Sequence, residues 1–162
     1  MSTAPLDPLV VAQLDALLSD EPNPITVLSN ASAVLNASLE KVNWCGFYLF
    51  SKRTGTLDLG PFQGLVACTH IQPGAGVVGT AYANNAAMIV PNVHEFAGHI
   101  ACDSASNSEV VVPLVVAGSV VGVLDIDSPS LDRFSQADQD VLVQAADAIA
   151  KQLDVKALAT VY

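Results

Sequence analysis

Leu9, Val10, Leu14, Leu17 and Leu18 recur at helical spacing, so residues 7–19 are predicted to form an amphipathic helix. Glu21-Pro22-Asn23-Pro24 ends it. A second helix is predicted from Asn23, with Pro24 in its first turn, to about Leu39. The pattern then changes to that of strands. Residues 42–50 (VNWCGFYLF) read as a strand, Ser51 to Gly55 as a turn, and residues 56–60 as a second strand. Leu65 to Ile71, after Gly64, reads as another. Pro73-Gly74-Ala75-Gly76 is a loop before a short helix from Val77 to Asn85, and Met88 to Val90 is a brief strand. Two strong strands, Glu109 to Val116 and Ser119 to Asp127, flank the tight turn Ala117-Gly118. Ser135-Gln136-Ala137-Asp138 opens a final helix that is predicted to reach about Leu158.

Helices, a run of about six mostly antiparallel strands with a helical insertion, then a helix: this order is α+β. It places the N- and C-terminal helices on one face of the sheet. One stretch fits no element. Asn92 to Ser108 is polar, weakly periodic and rich in small residues and histidine. Connections of that length inside compact domains are usually functional.

Composition narrows the picture. The chain has 162 residues, with 16 Asp+Glu against 6 Lys+Arg and a formal charge of −10. Its length implies one domain, 1–162, with a helical extension over 1–22 and a core over 23–158. The acidic balance leaves no basic run for nucleic acid or an anionic membrane surface, and neither partner is expected. The first 14 residues lack a basic region and carry Asp7, so no secretory signal is expected. Three cysteines without such a signal fit a reducing, cytoplasmic setting.

Three groups of residues carry candidate chemistry. In the strand ending Asp125-Ile126-Asp127, alternation puts both carboxylates on one face together with Val121 and Val123. Partial desolvation and mutual repulsion would raise at least one of their pKa values, and Glu109 opens the neighbouring strand. Three acids at one sheet end suit an amino group or a proton transfer. Trp44, Gly46 and Tyr48 share a face, so the two rings either wall a pocket over the glycine gap or fill the core. Cys68, His70, His99 and Cys102 have the donor types of a Zn²⁺ site but lack an anchoring Cys-x-x-Cys, and no metal is expected. As a competing reading, Cys102, beside His99 and Asp103, is an activated thiol that pairs with Cys68 in a disulfide; spacing does not decide whether they meet. Gly74 to Gly79 has G-x-G-x-x-G spacing without the βαβ context of a phosphate site, and reads as a turn and helix start.

Asn43-Trp44 with Gly46-Phe47-Tyr48, Gly60-Pro61-Phe62-Gln63-Gly64, Val66-Ala67-Cys68, Gly76-Val77-Val78-Gly79-Thr80, Gly98 to Asp103, Asn107-Ser108-Glu109 and Gly122 to Asp127 together resemble the free methionine-(R)-sulfoxide reductases. These are stand-alone GAF-domain enzymes. The resemblance runs from about residue 23 to the C-terminus. It implies a GAF fold and thiol-dependent reduction of free L-methionine-(R)-sulfoxide, with Cys102 as nucleophile and Cys68 as resolving cysteine. It implies that Glu109, Asp125 and Asp127 hold the substrate's amino group and act on the sulfoxide oxygen, while Trp44 and Tyr48 pack on its methyl end. Thioredoxin or other thiols would supply the reducing equivalents, with no cofactor, and relatives of this fold often form homodimers. Two positions depart from the family. Val78 stands where a third cysteine is common, and Cys45, where Ala is common, falls on the face opposite Trp44 and reads as a core residue. The alternative from another class is a non-catalytic GAF domain that senses a small molecule.

Overall fold

The computed structural model describes residues 3–100, 102 and 105–162. Asp103, which the sequence reading placed beside Cys102, lies outside the described residues. Helix α1 spans Leu9–Leu18 and α2 spans Pro24–Ser38. Asn23 caps α2 by accepting from the amides of Ile25 and Thr26. Strands β1 (Trp44–Ser51), β2 (Thr56–Gly64), β3 (His70–Ile71), β4 (Met88–Val90), β5 (Ser108–Val116) and β6 (Ser119–Ser128) follow, with α3 (Gly76–Asn84) between β3 and β4. Helices α4 (Gln136–Ala150) and α5 (Val155–Ala159) close the chain.

The strands form one antiparallel sheet in the order β3-β2-β1-β6-β5-β4. Its two faces bury different things. Cys45, Phe47 and Leu49 of β1, Val110, Val112 and Leu114 of β5 and Leu124 and Ile126 of β6 pack under the terminal helices as the main core. Trp44, Tyr48, Val111 and Val123 occupy the opposite face, covered by Val77, Val78 and Ala81 of α3. The period-two alternation read from the sequence sorts these side chains correctly.

Three sequence expectations fail locally. Leu65 to Thr69 are not a strand: only His70 and Ile71 pair with β2, and Leu65 and Val66 are exposed. Their apolar run imitates a strand, but beyond the bond from the Leu59 amide to the Thr69 carbonyl the segment leaves the edge of β2. Val121 does not share a face with Val123 but packs against the main core. The pairing passes from Leu114↔Gly122 to Val115↔Val120, so Val121 is the extra residue of a bulge and alternation restarts beyond it. The final helix breaks after Ala150, and Asp154 caps a separate α5 by accepting from the amide of Lys156.

A buried ion pair ties the ends of this frame together. The Arg133 guanidinium donates to Asp138 at 3.2 Å and to the Glu40 carbonyl at 2.8 Å. Asp138 also accepts from the amides of Leu6 and Ser135, completing the capping box of α4. One carboxylate thus fixes the N-terminal segment, the loop before β1 and the start of α4.

Candidate active site

The site is built across one row of the sheet. Register places Val90, Glu109, Asp127 and Trp44 side by side on β4, β5, β6 and β1, and sets Val111, Asp125 and Gly46 in the next row inward. Because direct cross-strand partners on one face lie about 5 Å apart, this register alone brings three acids and an indole together. Ligand oxygens of Glu109, Asp125 and Asp127 lie within 4.8 Å of one another.

Burial makes these acids unusual. Glu109 and Asp125 are 6% and 5% exposed. Desolvation pushes the Asp125 carboxyl well above the usual carboxylate range, and Asp127 and Glu109 repel its charge further. Burial also raises Glu109, while hydrogen bonds to Asp125 and Asp127 oppose that rise. Two carboxyl groups joined by a hydrogen bond must hold a proton between them. Asp125 Oδ1 has no hydrogen-bond partner among the described residues, which leaves a buried acceptor beside the cleft.

Trp44 and Tyr48 are both core residues and cleft residues: each is 2% exposed and each lines the opening. The two rings stack with centroids 5.8 Å apart. The gap at Gly46 is not left for a ligand. Its missing Cβ makes room for Phe62, and a methyl there would stand 2.8 Å from the Phe62 Cα and 2.9 Å from Trp44 Cη2. Phe62 stacks on Trp44 at 5.1 Å. It reaches that position because β2 carries an extra residue between Leu59 and Phe62, where Pro61 offers no amide to the ladder. Pro61 and Phe62 were visible as a motif, but their part in backing Trp44 was not.

The sequence left open whether the two thiols meet. Cys68 and Cys102 are joined in a disulfide, with Cα atoms 5.3 Å apart across 34 residues of sequence. Cys68 sits in the irregular segment after β2 and Cys102 in the long loop before β5. The Zn²⁺ reading does not assemble: among the described residues, Glu109, Asp125 and Asp127 are the group close enough to share an ion, and His70 instead bonds Asp58 at 2.7 Å on the far edge of the sheet. Cys45 is fully buried in the main core, and burial, then the Asp127 charge, raises its thiol far above the usual range. It stays a neutral, inert thiol.

The loop bearing Cys102 is fastened at its base. Val93 donates to the Asn107 carbonyl at 2.9 Å, the Asn107 amide to Ser128 at 2.7 Å, and the Asn107 side chain to Pro129 at 2.7 Å. His94 Nε2 bonds Asn107 Oδ1 at 2.8 Å. Asn107 stood in a sequence motif without a role, since its partners come from two other segments, 93–94 and 128–129. His99 lines the cleft, and burial, followed by the nearby His94, lowers its pKa. It is therefore mostly neutral near pH 7 and supplies little positive charge to offset the acids. The N-terminus of α3 does supply some. Ala75, Gly76, Val77 and Val78 line the cleft, and no side chain caps that helix end.

The cleft is narrow, with about 50 Å³ of space open to water-sized molecules. One wall is acidic, one aromatic, one a helix N-terminus, and one is formed by Cys102 with His99 and Ile100.

Comparison with known proteins bears on the family and the fold. Residues 23–153 match the GAF domain family model. The chain is 51% identical over 145 residues to protein YtsP of Bacillus subtilis, covering 90% of this chain and 89% of that one. It is 48% identical over 139 residues to the free methionine-R-sulfoxide reductase of Escherichia coli, covering 86% and 83%. The solved fRMsr of Staphylococcus aureus superposes in its reduced form with a TM-score of 0.89 at 46% identity, over 95% of this chain and 100% of that one. Its complex with substrate superposes with a TM-score of 0.88.

Proposed function

The chain belongs to the GAF-domain family, with free methionine-R-sulfoxide reductases among its near relatives, and on that premise we propose that it reduces free L-methionine-(R)-sulfoxide to methionine. The observation that carries this reading is that Cys102, one half of the Cys68–Cys102 disulfide, lines the same cleft as three carboxyl groups, one of which burial pushes well above the usual carboxylate range.

Cys102 attacks the sulfoxide sulfur and a carboxyl proton passes to the sulfoxide oxygen, which is a poor leaving group until protonated. The sulfoxide S–O bond then breaks, its oxygen passes as hydroxyl to Cys102 Sγ, and the transient bond between Sγ and the substrate sulfur breaks. Methionine thus leaves with its sulfur reduced by two electrons, and Cys102 becomes a sulfenic acid, oxidised by two. Cys68 condenses with it: an S–S bond forms, the sulfenic S–O bond breaks, and the Cys68 proton leaves with the hydroxyl as water. A dithiol such as thioredoxin returns both cysteines to thiols and is itself oxidised to a disulfide.

Glu109, Asp125 and Asp127 face the ammonium and the sulfoxide oxygen, the α3 N-terminus faces the carboxylate, and Trp44 and Tyr48 pack on the methyl end. A peptide-bound residue lacks both terminal charges, so this pairing favours the free amino acid. A protonated Asp125 also eases the conflict between an acidic wall and a thiolate at Cys102. With Val78 buried where the family often has a third cysteine, Cys68 alone serves as resolver. We further place the enzyme in the cytoplasm, as a homodimer that pairs through its helices. Among the described residues no helix is long and apolar enough to cross a membrane.

The test is methionine release from each separated sulfoxide epimer, with thioredoxin and with dithiothreitol. The R epimer of the free amino acid is consumed, the S epimer is not, and Cys102→Ser ends turnover. Binding of the sulfoxide without methionine release, or full activity in Cys102→Ser, would favour the sensor reading instead.

A further inference from the structure

The segment that carries Cys68 has little of its own to hold it. After β2 ends at Gly64 the chain runs irregularly to His70, and Leu65 and Val66 are 70% and 86% exposed. The turn away from the sheet happens at Gly64, with φ of +140°, where a Cβ would stand 2.5 Å from Trp44 Cδ1. Here the chain crosses the edge of the aromatic wall. Two side-chain donors reach it there. Trp44 Nε1–H donates to the Leu65 carbonyl at 3.2 Å, and Tyr48 O–H donates to the carbonyl of Cys68 itself at 3.1 Å.

We propose that Trp44 and Tyr48 are positioning residues for Cys68 as well as walls of the cleft: their polar ends hold the 65–68 segment so that its thiol stands ready for Cys102. The idea rests on Cys68 being the resolving thiol. Both donors sit on buried rings that stack on each other, and Trp44 stacks on Phe62 as well. The Tyr48 hydroxyl keeps its proton, because burial, then Asp125, Asp127 and Glu109, raise its pKa far above the usual value. It can donate at any pH the enzyme meets. The same aromatic pair therefore serves both halves of the cycle, packing on substrate in the first and presenting the resolver in the second.

Tyr48→Phe keeps the ring and its stacking and removes the hydroxyl. Reduced protein is mixed with one equivalent of L-methionine-(R)-sulfoxide, and methionine release, dimedone-reactive sulfenic acid at Cys102 and remaining free thiols are followed together. Disulfide formation should slow by roughly fivefold more than methionine release does, the factor that one neutral hydrogen bond carries, and the sulfenic acid should accumulate. A second measurement uses no substrate. At a fixed ratio of oxidised to reduced dithiothreitol, the equilibrium constant for closing Cys68–Cys102 should fall by a similar factor in Tyr48→Phe. Equal slowing of both steps with an unchanged thiol equilibrium would overturn the proposal and leave Tyr48 a substrate contact alone. If the wild-type protein instead releases methionine and keeps Cys68 as a free thiol, the resolver assignment fails, which is a separate result.

Discussion

At the scale of single residues, neighbours and burial decide chemistry that residue type leaves open. Asp125 is one of 16 acids, yet among the described residues it is the one with an unpartnered buried oxygen and a strongly raised pKa. A raised folded-state pKa means that the native protein holds a proton the unfolded chain has released. Stability is therefore greatest below the ordinary Asp value near 4 and falls as pH rises through the folded-state value. Asp125→Asn should raise stability at pH 8 by about 1–3 kcal/mol and by almost nothing at pH 4, measured by urea unfolding at both. Turnover of the wild type should fall as pH rises through that same raised value, and Asp125→Asn should lose that limb of the pH–rate profile. Cys45 is the converse case. It is a thiol without a redox role, so Cys45→Ser should leave methionine release unchanged while costing about 1–3 kcal/mol for a hydroxyl buried in the main core. Face alternation made Cys45 legible in the sequence as core. The raised pKa of one acid was legible too, but not which acid, because that depends on cross-strand neighbours.

At the scale of elements, turns and bulges decide which side chains reach the cleft. The short β2 expected over 56–60 extends to Gly64, and its extra residue swings Phe62 onto Trp44. Gly46→Ala should therefore displace Phe62 and Trp44 together, raising KM and lowering the equilibrium constant for closing Cys68–Cys102, both measured on the purified variant. The other end of the frame depends on Arg133. Arg133→Met leaves Asp138 charged and buried, and should cost about 3–5 kcal/mol in thermal or urea unfolding. Ser135 and Asp138 could be read from the sequence as a helix start. Arg133 and Leu6 could not be added, since one lies before the cap and the other is 132 residues away from Asp138.

At the scale of the whole molecule, the disulfide links the segment after β2 to the loop before β5 and so closes the cleft along one side. A loop of 34 residues gives a cross-link worth about 3–4 kcal/mol in the chain-entropy description. The oxidised protein should melt roughly 6–12 °C above the dithiothreitol-reduced protein, and Cys68→Ser should melt like the reduced form. Equal melting temperatures would mean that reduction leaves the unfolded chain no freer.

The sequence by itself determined the α+β order, the sorting of β1, β5 and most of β6 between two faces, and a short set of reactive groups. Those properties follow from local periodicity and side-chain type, which each stretch carries whatever its surroundings. Only the tertiary structure decided that Leu65 to Thr69 leave the sheet, that bulges re-aim Val121 and Phe62, and that Cys68 and Cys102 meet. These outcomes depend on pairing register and loop closure between segments far apart in the chain. The cleft is a property of that register: three acids, an indole and a tyrosine become one site because antiparallel pairing sets their rows side by side.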